Sequence, residues 1–358
     1  MANWALYGAT GYTGPLIAEQ AVARGHRPLL MGRSADKLKA LGEQLGLEHR
    51  AVSLDDAAGL RAALKGLDAV VHAAGPFIHT SAPMVQACLD EGVSYLDITG
   101  EPDVFKAVYA RDAEAKARGV ALIPGVGFDV IPSNCLCAWV AAKVEQPHTL
   151  DFALAGIGNP SAGTVKSGLP LVLGGGRVFR EGKEVSWPLG KGTRRIRLST
   201  REVWGAVAPV SDLYAAHKAT QVPNVTAYFA VPTKLARLGR IGWPLGVAAL
   251  PVLRAALGRG RLDATIEKRV KGGTAETRAA GHSHLWARAE GPLGHAEAWL
   301  DVSEGYAFTA CSAVLALERV VKHRPKGALA PAETFGADFV LEVPGSRRTD
   351  VTSGQPGR

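Results

Sequence analysis

The glycines of Gly8-Ala-Thr-Gly-Tyr-Thr-Gly14 directly follow the short apolar run Ala5-Leu6-Tyr7. Glycines three apart, between a first strand and a first helix, leave few folds open. The chain must turn sharply there, and its backbone can then approach a pyrophosphate closely. The helix that follows presents free N–H groups and the positive end of its dipole to that anion. Pro15 suits the first turn of this helix, expected over residues 13–24, because the missing N–H costs little there. In a chain with 42 glycines the spacing alone says little. Its position at the opening of a strand–helix unit gives it weight.

Short apolar runs at 28–31, 49–54, 69–74, 94–98 and 120–123 then alternate with helical patterns at 35–45, 57–64, 82–91 and 104–118. This rhythm predicts an α/β fold with a doubly wound parallel sheet. Past Pro132 it changes. A helix at 134–144 is followed by strands at 150–155, 195–198 and 225–229, and by an antiparallel pair at 284–289 and 296–302 around Gly291-Pro292. Residues 132–304 therefore read as a second, α+β domain after a first domain at 1–131. Two domains suit 358 residues. A long apolar helix is expected at 306–321. The polar, basic tail 346–358 is expected to be disordered.

Composition narrows the function classes. With 47% hydrophobic and 21% charged residues the chain is globular, not disordered. A net charge of +8 suits phosphorylated cofactors, anionic lipid or nucleic acid. The basic residues are scattered, and aromatics, at 6%, do not interleave with them, so nucleic acid is not expected as a partner. Cys135 and Cys137 form C-x-C with no second pair, and Cys88 and Cys311 stand alone. Neither a zinc knuckle nor a disulfide framework is expected. The histidines show no ligand spacing beyond His282-x-His284, so no metal site is expected. The start of the chain lacks the basic region of a signal peptide. The longest apolar stretch, 241–253, holds two prolines and is too short to span a bilayer. A cytoplasmic homo-oligomer is the expectation.

Candidate site residues follow from the carboxyl ends of the strands, where such sheets bind ligands. Gly8, Thr10, Gly11, Tyr12, Thr13 and Gly14 form the phosphate turn. After the second strand stand Arg33, Ser34 and, one turn on, Lys37. An acidic residue at this point would hold a ribose 2′-hydroxyl. A cation and a hydroxyl instead favour a 2′-phosphate, hence NADP over NAD. Asp36 is read as a first-turn helix acid. Asp55, after the third strand, either touches the adenosine or caps the next helix. Ala74, Gly75, Pro76 and Phe77 would let a nicotinamide lie against the backbone. Tyr95, Glu101, Asp129 and Ser133 are the catalytic candidates, for orienting substrate or relaying a proton. The competing reading makes Glu101, Asp129 and Ser133 helix-start residues. Thr164 and Lys166 are further substrate-contact candidates. Tyr214-x-x-x-Lys218 has a spacing known from other dehydrogenases, but lies in the second domain and is read as coincidence. Segment 234–261 carries Arg237, Arg240, Arg254, Arg259 and Arg261 around an apolar centre with Trp243. It reads either as a membrane-surface or acyl-carrier contact, or as a buried or dimer-forming insert.

The chain resembles the saccharopine dehydrogenase-like oxidoreductases, which include trans-acting enoyl reductases of lipid and polyketide pathways. The resemblance rests on the glycine turn, Ala74-Gly-Pro-Phe77, Tyr95-Leu-Asp-Ile-Thr-Gly-Glu101, Gly127-Phe-Asp-Val-Ile-Pro-Ser133 and Ser161-Ala-Gly-Thr-Val-Lys-Ser167. Val222-Pro-Asn-Val225, Gly305-Tyr-Ala-Phe-Thr-Ala310 and Gly336-Ala-Asp-Phe-Val-Leu-Glu342 continue it in order. It implies a Rossmann-type domain, a second domain whose sheet covers the active-site cleft, a hinge-like crossover at 125–132, and a C-terminal region (305–345) that returns to the first domain. It further implies an NADPH-dependent reductase acting on the polarised C=C bond of an enoyl, lipid- or polyketide-like substrate such as an acyl thioester. Imine reduction of the saccharopine type is the alternative, with Arg177, Arg180, Arg195 and Arg197 available for a substrate rich in carboxylates. Carbonyl reduction ranks third. A redox-silent NADP-binding protein at a lipid surface is the non-enzymatic alternative.

Overall fold

Trp4, Ala5, Leu6 and Tyr7 are all buried. A strand buried on both faces belongs in a parallel sheet with helices on each side. Strand β1 (Trp4–Tyr7) lies inside such a sheet, with β2 (Leu29–Gly32), β3 (His49–Ala51), β4 (Ala69–His72), β5 (Ser94–Asp97) and β6 (Ala121–Ile123). A further short strand, β15 (Gly327–Ala328), completes seven parallel strands in the order β15-β6-β5-β4-β1-β2-β3. The order reverses between β4 and β2 on either side of β1, which makes the carboxyl end of β1 a switch point where a crevice opens. Helices α1 (Gly14–Ala23), α2 (Ala35–Leu45), α3 (Ala57–Leu64), α4 (Phe77–Glu91), α5 (Pro102–Tyr109) and α6 (Asp112–Arg118) connect the strands.

The computed structural model describes residues 2–156, 175–188, 190–231, 233 and 281–354. It divides into two units, Met1–Ile131 with Gly305–Pro344, and Pro132–Glu304 with Gly345–Arg358. Segment 234–261, Thr164 and Lys166 lie outside the described residues. In the second unit α7 (Ile131–Ala141) precedes β7 (Thr149–Ala155), β8 (Gly176–Arg180), β9 (Lys183–Trp187), β10 (Arg194–Arg197) and β11 (Glu202–Val207). Helix α8 (Asp212–Thr220), β12 (Asn224–Val231), β13 (His282–Gly291) and β14 (Gly294–Ser303) follow. These strands form a mixed sheet that runs β10-β11-β12-β7-β13-β14 and ends in β16 (Arg347–Gly354). Phe152 pairs with Ala287, and Ala287 with Ala298, so one face is apolar. Asp151, Arg288 and Glu297 share the other face.

Three sequence expectations need correction. The tail forms β16 against β14, with Arg347 opposite Asp301. The unpaired groups of β14 offer the backbone bonds, and a polar segment is what an outer strand requires. The helix expected at 104–118 breaks at Ala110–Arg111, where the Arg111 guanidinium reaches Glu114 and Gln86. The helix expected from residue 82 starts five residues earlier, for a reason given below.

The return of the chain after the second unit builds part of the first. Helix α9 (Gly305–His323) packs along α1, and α10 (Pro331–Phe335) follows β15. Phe308, Val314 and Leu317 are fully buried, each side chain worth about 1.5–3 kcal/mol of transfer free energy. Glu318 of α9 accepts from Nε and Nη2 of Arg24 and lies against the Nε2 of His26, which fastens it to the end of α1. Among the described residues no helix is long and apolar enough to cross a membrane.

Candidate active site

The glycine turn is built into the sheet. The N–H groups of Gly8 and Ala9 both donate to the carbonyl of Met31, at 2.9 and 3.2 Å. Gly8 has φ +85°, and a Cβ there would lie 2.7 Å from the backbone nitrogen of Ala74. A side chain at Gly14 would overlap the carbonyl oxygens of Gly8 and Ala9. Gly11 differs. It is exposed, and a Cβ would find Gly8 O at 3.3 Å and Ala73 O at 3.9 Å. Packing requires glycine at 8 and 14; at 11 its absence of a side chain keeps the surface of the turn open.

Helix α1 begins without a side-chain cap from Thr13 and without an acidic residue in its first turn. Its first N–H groups and its dipole therefore face outward unneutralised by the chain. Two other helix starts at this edge are occupied. Asp56, not Asp55, caps α3 through the Gly59 N–H at 2.9 Å, and Glu101 fills the start of α4. Thr10 is partly buried. Tyr12 is exposed and meets Tyr306 of α9 edge-on, ring centroids 4.7 Å apart.

Arg33 and Asp55 gather beside Tyr7. Burial raises the Tyr7 hydroxyl, the Arg33 charge opposes that, and the Asp55 charge adds to it, so both charges lie within electrostatic reach of one phenol. Arg33, Lys37 and Asp55 are exposed. Among the described residues Arg33 and Lys37 have no ion-pair partner. Ser34 occupies the α2 N-cap position and makes no cap bond with its hydroxyl. These groups form a cationic, hydroxyl-bearing rim at the ends of β2 and β3.

On the far side of β1, β4 ends at His72, and Ala74-Gly75-Pro76-Phe77 turns into α4, with the Gly75–Pro76 bond cis. Gly75 and Pro76 are exposed, Ala74 is partly buried and Phe77 is buried. Glu101 explains the early helix start. Its Oε1 accepts the Phe77 N–H at 2.9 Å and its Oε2 the Ile78 N–H at 2.8 Å. A cap supplied from 24 positions on leaves no local mark in the sequence.

The four catalytic candidates separate. The Tyr95 ring is fully buried and its hydroxyl donates to Asp97 at 2.7 Å. Burial and the Asp97 charge raise it well above the ordinary range, so it is a core group and not a cleft acid. Asp97 also accepts from the N–H groups of Thr99 and Gly125, at 2.9 and 2.8 Å. Burial nonetheless raises its carboxyl to about 6. Ser133 lies in the second unit, buried, with its hydroxyl bonded to Asp212. That bond engages its hydroxyl within the second unit. Glu101 is engaged as a cap. Asp129 remains. Its carboxyl rests over Gly100, where an added Cβ would lie 2.8 Å from Oδ2. The residue is exposed, yet the protein crowded around the carboxyl desolvates it and raises it to about 6. Among the described residues nothing hydrogen-bonds to it. Thr309 of α9 holds the loop by accepting the Phe128 N–H at 3.0 Å, and Ser312 donates to Val126 O at 2.8 Å.

Sequence reasoning missed His72 and Thr80. Thr80 donates to Ala74 O at 2.6 Å and has His72 Nε2 at 3.1 Å. Burial lowers His72 to about 3, so the ring is neutral. The only sequence signal was a polar residue at the end of an apolar strand, with a threonine one helix turn beyond Pro76.

Comparison with known proteins agrees with this geometry. Residues 4–123 match the family model described as the saccharopine dehydrogenase NADP binding domain. A trans-acting enoyl reductase of Mycobacterium tuberculosis is 33% identical over 142 residues, covering 36% of this chain and 33% of the relative. A saccharopine dehydrogenase-like oxidoreductase of Bos taurus is 30% identical over 165 residues, covering 40% and 38%. The matched part thus spans about a third of the length of these relatives. Saccharopine dehydrogenase (L-Glu forming) from Saccharomyces cerevisiae superposes with a TM-score of 0.66 at 12% identity, over 98% of this chain and 100% of that one, a likeness of fold. The glycine turn, the uncapped start of α1 and the Arg33 rim are what a 2′-phosphorylated dinucleotide requires. Residues 4–123 are thus similar to the saccharopine dehydrogenase NADP-binding domain, and this likeness agrees with NADP as the dinucleotide of the first unit.

Proposed function

We propose that this protein is an NADPH-dependent reductase of a polarised C=C bond in an enoyl substrate such as an acyl thioester. The carrying observation is Asp129: a carboxyl in the loop after β6 that burial raises to about 6, with no hydrogen bond among the described residues. When bound, the cofactor supplies a hydride to the β-carbon, and the electron pair of the double bond moves onto the thioester carbonyl as an enolate. Asp129 in its protonated form gives a proton to the α-carbon and is left as carboxylate, to be reprotonated from water. The glycine turn and α1 hold the pyrophosphate, Arg33 and Ser34 the 2′-phosphate, and the Ala74–Phe77 turn borders the nicotinamide.

The names of the mycobacterial relatives support the enoyl reading. The imine reading has less to rest on. Arg177 pairs with Glu184 at 3.1 Å and Arg195 with Glu202 at 3.0 Å. Arg180 donates to Phe179 O and Thr226. Three of the four arginines that would gather substrate carboxylates are therefore engaged within the second unit.

The deciding assay follows NADPH consumption with an enoyl thioester, a cyclic imine and a ketone in parallel. Turnover of the enoyl thioester, lowered about a hundredfold in Asp129→Asn, is the expected result. Turnover of the imine alone would replace this reading, and NADPH binding without turnover of any acceptor would favour the redox-silent protein.

A further inference from the structure

Two side-chain clamps, the buried Glu101 and the partly buried Thr80, converge under the Ala74–Phe77 turn, and neither is part of it. At its far end Glu101 takes the N–H groups of Phe77 and Ile78, one on each carboxylate oxygen. At its near end Thr80 donates to Ala74 O at 2.6 Å, with Pro76 O at 3.2 Å. The Thr80 hydroxyl is itself oriented. Having given its proton to a carbonyl, it can only accept from His72, whose Nε2 is 3.1 Å away. His72 is fully buried and neutral, lies against Tyr7, Phe77 and Tyr95, and cannot swing away. Between the clamps Gly75 and Pro76 are exposed.

The carboxylate has a second consequence. The start of α4 faces the same sheet edge as the start of α1, and an empty helix start attracts phosphate. Glu101 fills the α4 start with a negative charge of the chain's own. The pyrophosphate is thereby directed to α1, and the α4 side is left for an uncharged group.

We infer that Glu101 and Thr80, the latter oriented by His72, are positioning residues that preform the nicotinamide side of the cofactor site. This rests on the NADP reading of the site given above. The turn follows β4, whereas the 2′-phosphate rim follows β2, and β1 lies between them. At about 4.8 Å per strand the two regions are roughly 10 Å apart. A defect in the clamps is felt by one half of the dinucleotide.

The test titrates the full chain with NADPH and with adenosine 2′,5′-bisphosphate, which carries the adenine and 2′-phosphate but no nicotinamide. The variants are Glu101→Gln, whose amide can serve only one of the two N–H groups, Thr80→Val, which lacks the hydroxyl, and Thr80→Ser, which retains it. NADPH affinity should fall about tenfold in Glu101→Gln and Thr80→Val while bisphosphate affinity stays within about twofold. Thr80→Ser should bind NADPH like the unaltered chain. Unchanged NADPH affinity in folded variants overturns the inference, as does parallel weakening of both ligands, which marks a merely structural role. If Glu101→Gln does not fold, the contrast between valine and serine at Thr80 decides. If the unaltered chain binds neither ligand, the NADP reading itself fails and this inference with it.

Discussion

Gly11 and Gly14 look equivalent in the sequence, and their surroundings make them different. A side chain at Gly14 overlaps two carbonyl oxygens, so Gly14→Ala should cost about 3 kcal/mol or more of stability, read from a denaturant melt. At Gly11 a Cβ would meet only Gly8 O closely, at 3.3 Å, a tight contact and not an overlap. Gly11→Val should keep most of the stability and lose NADPH binding, because the valine occupies the approach of the pyrophosphate. A Gly11→Val protein that binds NADPH normally would place the phosphates elsewhere. Arg33 is exposed and lacks an ion-pair partner among the described residues, so it is available to a 2′-phosphate. Arg33→Asp should shift the NADPH/NADH affinity ratio toward NADH by about tenfold or more, and an unchanged ratio would remove Arg33 as the discriminator. Asp129 carries a pH prediction. With its carboxyl at about 6, the proton it donates is present below that value and lost above it. Turnover limited by proton transfer should therefore fall as pH rises through about 6, and the residual activity of Asp129→Asn should lack that limb.

Helix α9 places the Asp129 loop although it lies some 180 residues further along the chain. Thr309 accepts the N–H of Phe128 and passes its own proton to Gly305 O at 2.7 Å. Thr309→Val keeps the shape and strands a buried N–H, which should cost about 1–3 kcal/mol. It should lower enoyl turnover more than NADPH affinity, because the displaced loop carries Asp129 and not the phosphate turn. Equal losses in both would show that α9 supports the unit only in general. Most elements were legible from apolar spacing: β1, β4 and β5 overlap their apolar runs to within two residues at either end, and α2 and α3 have the bounds that Ser34 and the following hydrophobic period mark. The start of α4 was not legible, since its cap comes from Glu101 and the Pro83 inside the helix argues locally against it. β16 was not legible either, because an outer strand of polar residues looks like a free tail.

For the whole molecule, the first unit is discontinuous in sequence. A chain ending at Glu304 would lack α9 and β15, whose fully buried side chains together exceed the roughly 5–15 kcal/mol by which a domain is stable. Such a chain should show no NADPH binding and no cooperative melt of the first unit, monitored by fluorescence and calorimetry. Retained binding would mean that residues 1–131 fold alone. The sequence by itself determined the parallel sheet, the glycine turn and the exposed basic residues after β2, because each depends on residues adjacent in the chain: a strand, a turn and a helix start in one short stretch. It did not separate the polar candidates at the ends of β5 and β6. Tyr95, Glu101, Asp129 and Ser133 carry similar promise as letters. Only the tertiary structure gave Tyr95 to Asp97, Glu101 to α4 and Ser133 to Asp212, and left the Asp129 carboxyl without a hydrogen bond among the described residues. The reason is physical: a buried polar group takes its partner from whatever the fold brings within about 3 Å, and those partners are set by packing between distant segments.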